Sequence, residues 1–167
     1  EINKATIYYY YKDKKSLYQS VLGNLIARNK DQVKELINSK LEPKEMFRQY
    51  INLFINNIKE TPQIIPLTLR EMANLGVNVE GSIEEDLEEN IKYLASILSK
   101  LNLKNHYKDI APYIIKALMY GTINTYYSMQ MSIVNLKTIK DLDKNTTNIL
   151  NYTNEFISNI LIDSLCE

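Results

Sequence analysis

Side chains capable of acid–base, nucleophilic or metal chemistry are few in this sequence. It has one histidine, His106, and one cysteine, Cys166, well separated along the chain. A nucleophile needs a base beside it, and a metal site needs several His, Cys or carboxylate ligands at set spacings. The sequence contains no Gly-rich phosphate loop and no Glu-x-x-His pair. It therefore predicts no enzyme activity, no catalytic residue, no metal site and no cofactor.

Tyrosine is the unusual component, with thirteen tyrosines against three phenylalanines and no tryptophan. Four of them adjoin near the N-terminus, at residues 8–11, and Tyr113, Tyr120 and Tyr127 recur at heptad spacing. That spacing places the three side chains along one stripe of a helix. Buried tyrosines often hydrogen-bond to nearby carbonyls, but such a stripe can also line a cavity for an apolar or aromatic ligand.

Composition and charge restrict the elements that position these residues. Lys plus Arg and Asp plus Glu number 20 each, so net charge indicates neither a nucleic acid nor a membrane. Four glycines and four prolines are too few for an all-β chain rich in tight turns. No apolar run is long enough to span a bilayer. We expect a cytoplasmic, all-α protein with about six helices.

Helix signals divide the chain. Asp13 is a good N-cap for a long helix reaching about residue 39, and Pro43 suits the first turn of the second helix. We predict Thr61 and Pro62 as the start of a third helix, which Gly76 ends after about residue 75.

Ser82 and Glu85 form a capping-box pattern for the fourth helix. The acidic run at residues 84–89 is interpreted as a solvated face without a partner. The most apolar helix is predicted at residues 108–131, and the last begins at Asn145 or Thr146.

Residues 2–17 resemble the end of the helix-turn-helix in the TetR/AcrR family of transcriptional regulators. There a recognition helix of the form Val-Ser-x-Gly-Thr-Leu-Tyr-x-Tyr-Phe runs into x-Ser-Lys-x-x-Leu of a long fourth helix. Matches in type and spacing are Ile2, Thr6, Ile7, Tyr8, Tyr10, Lys14 and Leu17. Ala5, Tyr11 and Asp13 depart mildly from the family's usual glycine, phenylalanine and serine. Adjacent tyrosines alone usually indicate packing, but this combination favours the regulator.

The resemblance implies that residues 1–17 are the remnant of a DNA-binding domain whose first two helices precede Glu1. Residues 18–167 would form the ligand-binding and dimerisation domain. Hydroxyls and cations near the N-terminal end of a recognition helix can contact phosphate. The predicted contacts of the full-length protein with double-stranded operator DNA are Lys4, Thr6, Tyr8, Tyr9, Tyr10 and Lys14.

The resemblance also implies a small-molecule effector in the core of a homodimer. The candidate ligand-binding residues, which we expect to face one internal space, are Tyr50, Phe54, Met72, Tyr93, Tyr113, Tyr120, Asn124 and Tyr127. In the family the last two helices form a four-helix bundle with their symmetry mates, and small residues permit close helix approach. The candidate dimer-interface residues are Ala117, Gly121, Thr125, Ser128, Phe156, Ile160 and Leu161. The alternative for each of them is an ordinary helix crossing within one chain.

The adjacent pair Arg70 and Glu71 has two interpretations. An inward side chain would need a partner and would favour a polar or charged group on a ligand. An outward one is part of a solvated face, which we expect for at least one of the two.

Together these features favour a TetR-like helical bundle that acts as a ligand-responsive repressor, released from its operator when an apolar or aromatic molecule binds. The alternative is a helical interaction or scaffold module with no DNA binding.

Overall fold

The computed structural model describes residues 9–133 and 146–167, with side chains at residues 9–125, 128 and 155–167. Six α-helices lie wholly within these ranges and no strand does, so the prediction of an all-α fold is confirmed. Their bounds are α1 Lys14–Ile37, α2 Pro43–Glu60, α3 Ile64–Ala73, α4 Ser82–Leu98, α5 Pro112–Ile133 and α6 Thr146–Leu165. None of these helices combines the length and apolar character needed to cross a membrane.

Two predicted helix starts are confirmed. The Asp13 carboxylate accepts a hydrogen bond from the Ser16 backbone N–H at 2.7 Å, as an N-cap does. Pro43 is the first residue of α2, where a missing N–H costs nothing. α1 is continuous from Lys14, so the predicted domain boundary after residue 17 falls within this helix.

Two other predicted N-caps, Thr61 and Ser82, are wrong, although α4 does begin at Ser82. Residues 61–63 form a turn, in which the Ile64 N–H donates to the Thr61 carbonyl, and α3 begins only at Ile64. The N-cap of α4 is Gly81, not Ser82, and no side chain caps this helix. Gly81 has a φ of 61°, a left-handed conformation that turns the chain into the helix one residue before the predicted capping box.

The end of α3 also differs from the prediction, because the helix stops at Ala73 rather than just before Gly76. Leu75 adopts a φ of 55°, and its N–H donates to the Met72 carbonyl. The Gly76 N–H donates to the Glu71 carbonyl at 2.8 Å. These two bonds define a Schellman motif in which leucine occupies the left-handed position that glycine usually takes.

α2 is the central helix of the core. It contributes seven buried side chains, among them Phe47, Ile51 and Ile58, and it contacts α1, α4 and α6. α1 packs most extensively on α4. Backbone hydrogen bonds attach the C-terminus to the segment after α4, with the Lys104 N–H donating to the Leu165 carbonyl at 2.9 Å. The helices therefore share one hydrophobic core.

The acidic run on α4 is only partly the solvated face that its composition suggests. Asp86 and Glu89 lie toward α1, where Lys30 Nζ is 2.7 Å from Asp86 Oδ1 and 3.4 Å from Glu89 Oε2. Their spacing of three residues places both on one side of α4. The hydrogen bond with Asp86 raises the pKa of Lys30 to about 12. Two of the five acidic residues in the run therefore join α4 to α1.

Candidate ligand-binding cavity

A cavity of about 470 Å³ lies among α1–α5, within the range typical of small-molecule sites. Every one of these helices contributes to its wall, as does the turn after α3. The lining residues are Leu22, Leu25, Ile26, Asn29, Phe54, Asn57, Ile64, Thr68, Glu71, Met72, Leu75, Gly76, Val79, Leu87, Asn90, Ile91, Tyr113, Lys116, Ala117 and Tyr120. Met72, Leu75, Tyr113 and Ala117 are exposed, so the cavity opens to solvent beside them.

Hydrocarbon and aromatic surface forms most of the wall. α1 supplies Leu22, Leu25 and Ile26. The rings of Phe54 and Tyr120 stack with their centres 4.1 Å apart and an interplanar angle of 28°. Burial raises the pKa of the Tyr120 hydroxyl to about 12, so it stays protonated. Such a wall suits a ligand with an apolar or aromatic body.

Glu71 is the acidic group on the wall, and its carboxylate is occupied by protein donors. The Tyr18 hydroxyl donates to Glu71 Oε1 at 2.6 Å, and Asn78 donates through Nδ2 at 2.9 Å and through its backbone N–H at 3.2 Å. Burial alone would raise the pKa of Glu71, but these hydrogen bonds outweigh it and lower the pKa. The network connects α1 to α3 and to the turn that follows.

Arg70, the other residue of the adjacent Arg-Glu pair, has a different environment. It is exposed, and its guanidinium carbon lies 5.3 Å from the centre of the Tyr18 ring. Arg70 thus points outward and Glu71 inward.

Lys116 is the basic group on the wall, and its surroundings differ from those of Glu71. Its ammonium lies 5.5 Å from the centre of the Tyr120 ring, and none of the ion pairs in the described part of the chain includes it. Burial lowers its pKa to about 8. Among the described residues this cation therefore has no ion-pair partner, although the Glu71 carboxylate lines the same cavity.

Asn90 contributes a second polar group that lacks a full set of partners. Its Nδ2 donates to the Asp86 carbonyl at 3.0 Å. Its Oδ1 is buried and accepts no hydrogen bond from any described residue. An unpaired buried acceptor costs free energy.

The predicted ligand-binding residues divide between the cavity and the core. Phe54, Met72, Tyr113 and Tyr120 line the cavity, whereas Tyr50, Tyr93 and Asn124 do not. The side chain of Tyr127 lies outside the described residues.

Each of the three residues away from the cavity has another environment. Tyr50 is buried in the core beside Ile51. The Tyr93 hydroxyl donates to Glu89 Oε1 at 2.6 Å. Asn124 is buried on α5, and its Nδ2 has no acceptor in the described part of the chain.

Sequence reasoning missed Lys116, Asn90 and the contribution of α1. A usable signal existed for Lys116, because it is the only charged residue in α5 and lies within one turn of both Tyr113 and Tyr120. The α1 residues gave no such signal, since leucines at helical spacing indicate an ordinary core face.

The predicted dimer-interface residues are mostly accessible. Ala117, Gly121, Thr125, Phe156 and Ile160 are exposed. Ser128 is half-buried, and Leu161 belongs to the hydrophobic core of its own chain.

The predicted DNA-binding residues fall partly outside the described range. Tyr9, Tyr10 and Lys14 are exposed, whereas Lys4, Thr6 and Tyr8 lie outside the described residues.

Over residues 9–133 and 146–167 no cluster of three or more His, Cys, Asp or Glu side chains is arranged to hold a metal ion. Comparison of the chain with protein-family models, with curated proteins and with solved structures finds no match.

Proposed function

We propose that this chain is the ligand-binding and dimerisation part of a transcriptional regulator of the TetR type. In the simplest form of this proposal, the regulator is a repressor that leaves its operator when a largely apolar or aromatic molecule enters the cavity. The observation that carries this proposal is that α1, which directly follows the segment resembling a recognition helix, also forms part of the cavity wall.

Coupling between the two sites follows from that shared helix. A ligand in contact with Leu22, Leu25 and Ile26 favours one separation of α1 from the helices opposite. Near its N-terminal end α1 is also joined to α3 through the Tyr18–Glu71 hydrogen bond. A ligand that binds one arrangement more tightly shifts the population toward it and so changes the affinity of the other site.

A homodimer is part of the proposal, because two recognition helices must be held at the spacing of successive major-groove faces. The small residues Ala117, Gly121 and Thr125 on α5 are exposed. On α6, Phe156 is 55% exposed and Ile160 is 46% exposed. A second copy would cover this apolar surface.

The test is a gel-shift assay with the product of the whole reading frame, including any residues that precede Glu1, on DNA from its own upstream region. We expect specific binding that weakens steeply with salt. Lys14→Ala should weaken DNA binding, since Lys14 is predicted to contact phosphate. It should also reduce the slope of log affinity against log salt concentration by about one. Lys40→Ala, an exposed lysine just beyond the other end of α1, is the matched control and should change neither.

Release by ligand is the second part of the test. Small apolar and aromatic molecules that raise the melting temperature of the protein should also release the DNA. A verified dimer that binds no DNA at low salt would refute the regulator and support the helical interaction module instead.

A further inference from the structure

Lys116 is a cation for which the described residues provide no ion-pair partner. It lies on the cavity wall, its ammonium faces the Tyr120 ring at 5.5 Å, and every ion pair found in the described residues involves other side chains. A charge enclosed by apolar surface is costly unless it is paired. The Tyr120 ring offers this half-buried ammonium only a weak cation–π contact.

The opposite charge on the same wall, the Glu71 carboxylate, already has partners within the protein. Both of its oxygens already accept hydrogen bonds, from Tyr18 and from two N–H groups of Asn78. A ligand cation would have to compete with these donors for the carboxylate. A ligand anion meets at Lys116 an ammonium that pairs with no described carboxylate, so the charge arrangement of the cavity favours an anion over a cation.

The remaining wall determines the rest of the ligand. Leucine and isoleucine side chains from α1 and α4 and the stacked Phe54 and Tyr120 rings can enclose an apolar body. A small inorganic anion would leave this surface unfilled. The complementary molecule is one with a hydrocarbon or aromatic body and an anionic end.

We propose that the cavity binds an amphipathic organic acid whose carboxylate pairs with Lys116 Nζ while its apolar body packs against the Phe54–Tyr120 stack. This inference rests on the proposed function, because it assigns a chemical class to the ligand of the same cavity. Near neutral pH the ammonium remains mostly protonated, and a bound carboxylate would favour its charged form further.

The test compares acids with alcohols of the same body by isothermal titration calorimetry at neutral pH. The two pairs are decanoate with 1-decanol and 4-phenylbutyrate with 4-phenyl-1-butanol. We expect the acid of at least one pair to bind about tenfold or more tightly than its alcohol, because a charge-assisted hydrogen bond replaces a neutral one.

Three variants assign that preference to Lys116. Lys116→Met should reduce the ratio of acid to alcohol affinity to about one while the alcohol still binds, and Lys116→Arg should retain the preference. Lys92→Met removes an exposed lysine of α4 that is not on the cavity wall, and should leave the ratio unchanged. Circular dichroism of each variant verifies that it is folded.

The outcomes separate this inference from the proposed function. Alcohols that bind as tightly as their acids, or an acid preference that persists in Lys116→Met, would refute the carboxylate proposal and leave the cavity as a neutral ligand site. Absence of binding by all four molecules would count against both the carboxylate proposal and the ligand-binding role.

Discussion

At the scale of single residues, Leu75 is the least expected side chain of the cavity. It is 94% exposed, although it is a leucine, and its φ of 55° is a left-handed conformation. That conformation costs an L-residue about 1–2 kcal/mol relative to glycine. Strained residues of this kind are concentrated at functional sites, and Leu75 lies at the opening of the cavity.

We therefore predict that Leu75→Gly raises the free energy of unfolding by about 1 kcal/mol, because glycine adopts this conformation without strain. Chemical denaturation measures the change. Leu75→Ala is the matched control: it removes the same exposed side chain but keeps the strain, and should change stability little. Equal effects of the two substitutions would contradict the strain argument.

Lys116 gives a second prediction, on pH dependence. Burial lowers its pKa to about 8 in the folded protein, below the ordinary value for a lysine. Between those two values the unfolded chain binds more protons, so this lysine makes stability rise as the pH increases. From about pH 7 to pH 9.5 the free energy of unfolding should rise by about 2 kcal/mol relative to Lys116→Met.

Denaturation of the wild type and of Lys116→Met in parallel across that pH range measures the difference. The ionisation of the tyrosines and of Cys166 cancels from this difference because both proteins contain them. Parallel curves would mean that Lys116 is solvated in the folded state.

At the scale of elements, the helices could be predicted from sequence because their apolar residues recur at helical spacing. Asp13 and Pro43 marked helix starts correctly. Thr61 did not, because residues 61–63 form a turn. Ser82 is the first residue of α4 but not its cap, because Gly81 with its positive φ takes that position. The cavity was predictable only in its aromatic part, since five crossing helices enclose it and their crossings are not encoded in any local pattern.

The contact between α1 and α4 can be tested at Gly23. A Cβ added there would lie 3.4 Å from Ile83 Cγ1, an ordinary contact distance. Gly23→Ala should therefore raise the free energy of unfolding by about 0.5–1 kcal/mol, as expected for a helix interior. Gly23→Leu should lower it by about 1–3 kcal/mol, because the larger side chain forces the helices apart.

Thermal denaturation measures these changes. Asn24→Leu, at the exposed neighbouring position, is the control for adding a leucine side chain to α1. Destabilisation by Gly23→Ala would contradict this prediction and show that α1 and α4 leave no room for a Cβ at this position.

At the scale of the whole molecule, the exposed face of α5 and α6 predicts self-association. Among the described residues, and apart from its own helical turn, no atom lies within 4 Å of a Cβ added at Gly121, so substitution there should not disturb the folded monomer. We predict that Gly121→Arg converts a dimer into a folded monomer, as measured by analytical ultracentrifugation. The control variant Asn56→Arg, which changes an exposed position on α2, should remain dimeric. A wild-type monomer at all concentrations would refute this interface.

If the cavity binds a ligand as proposed, the lifetime of the protein depends on that ligand. Only the folded chain can enclose a ligand, so occupancy at a hundredfold excess over the dissociation constant adds about 2.7 kcal/mol to the free energy of unfolding. Proteases in the cell act on the unfolded fraction, which falls accordingly. A cell that accumulates the ligand would therefore accumulate its receptor as well, without any change in the receptor's synthesis.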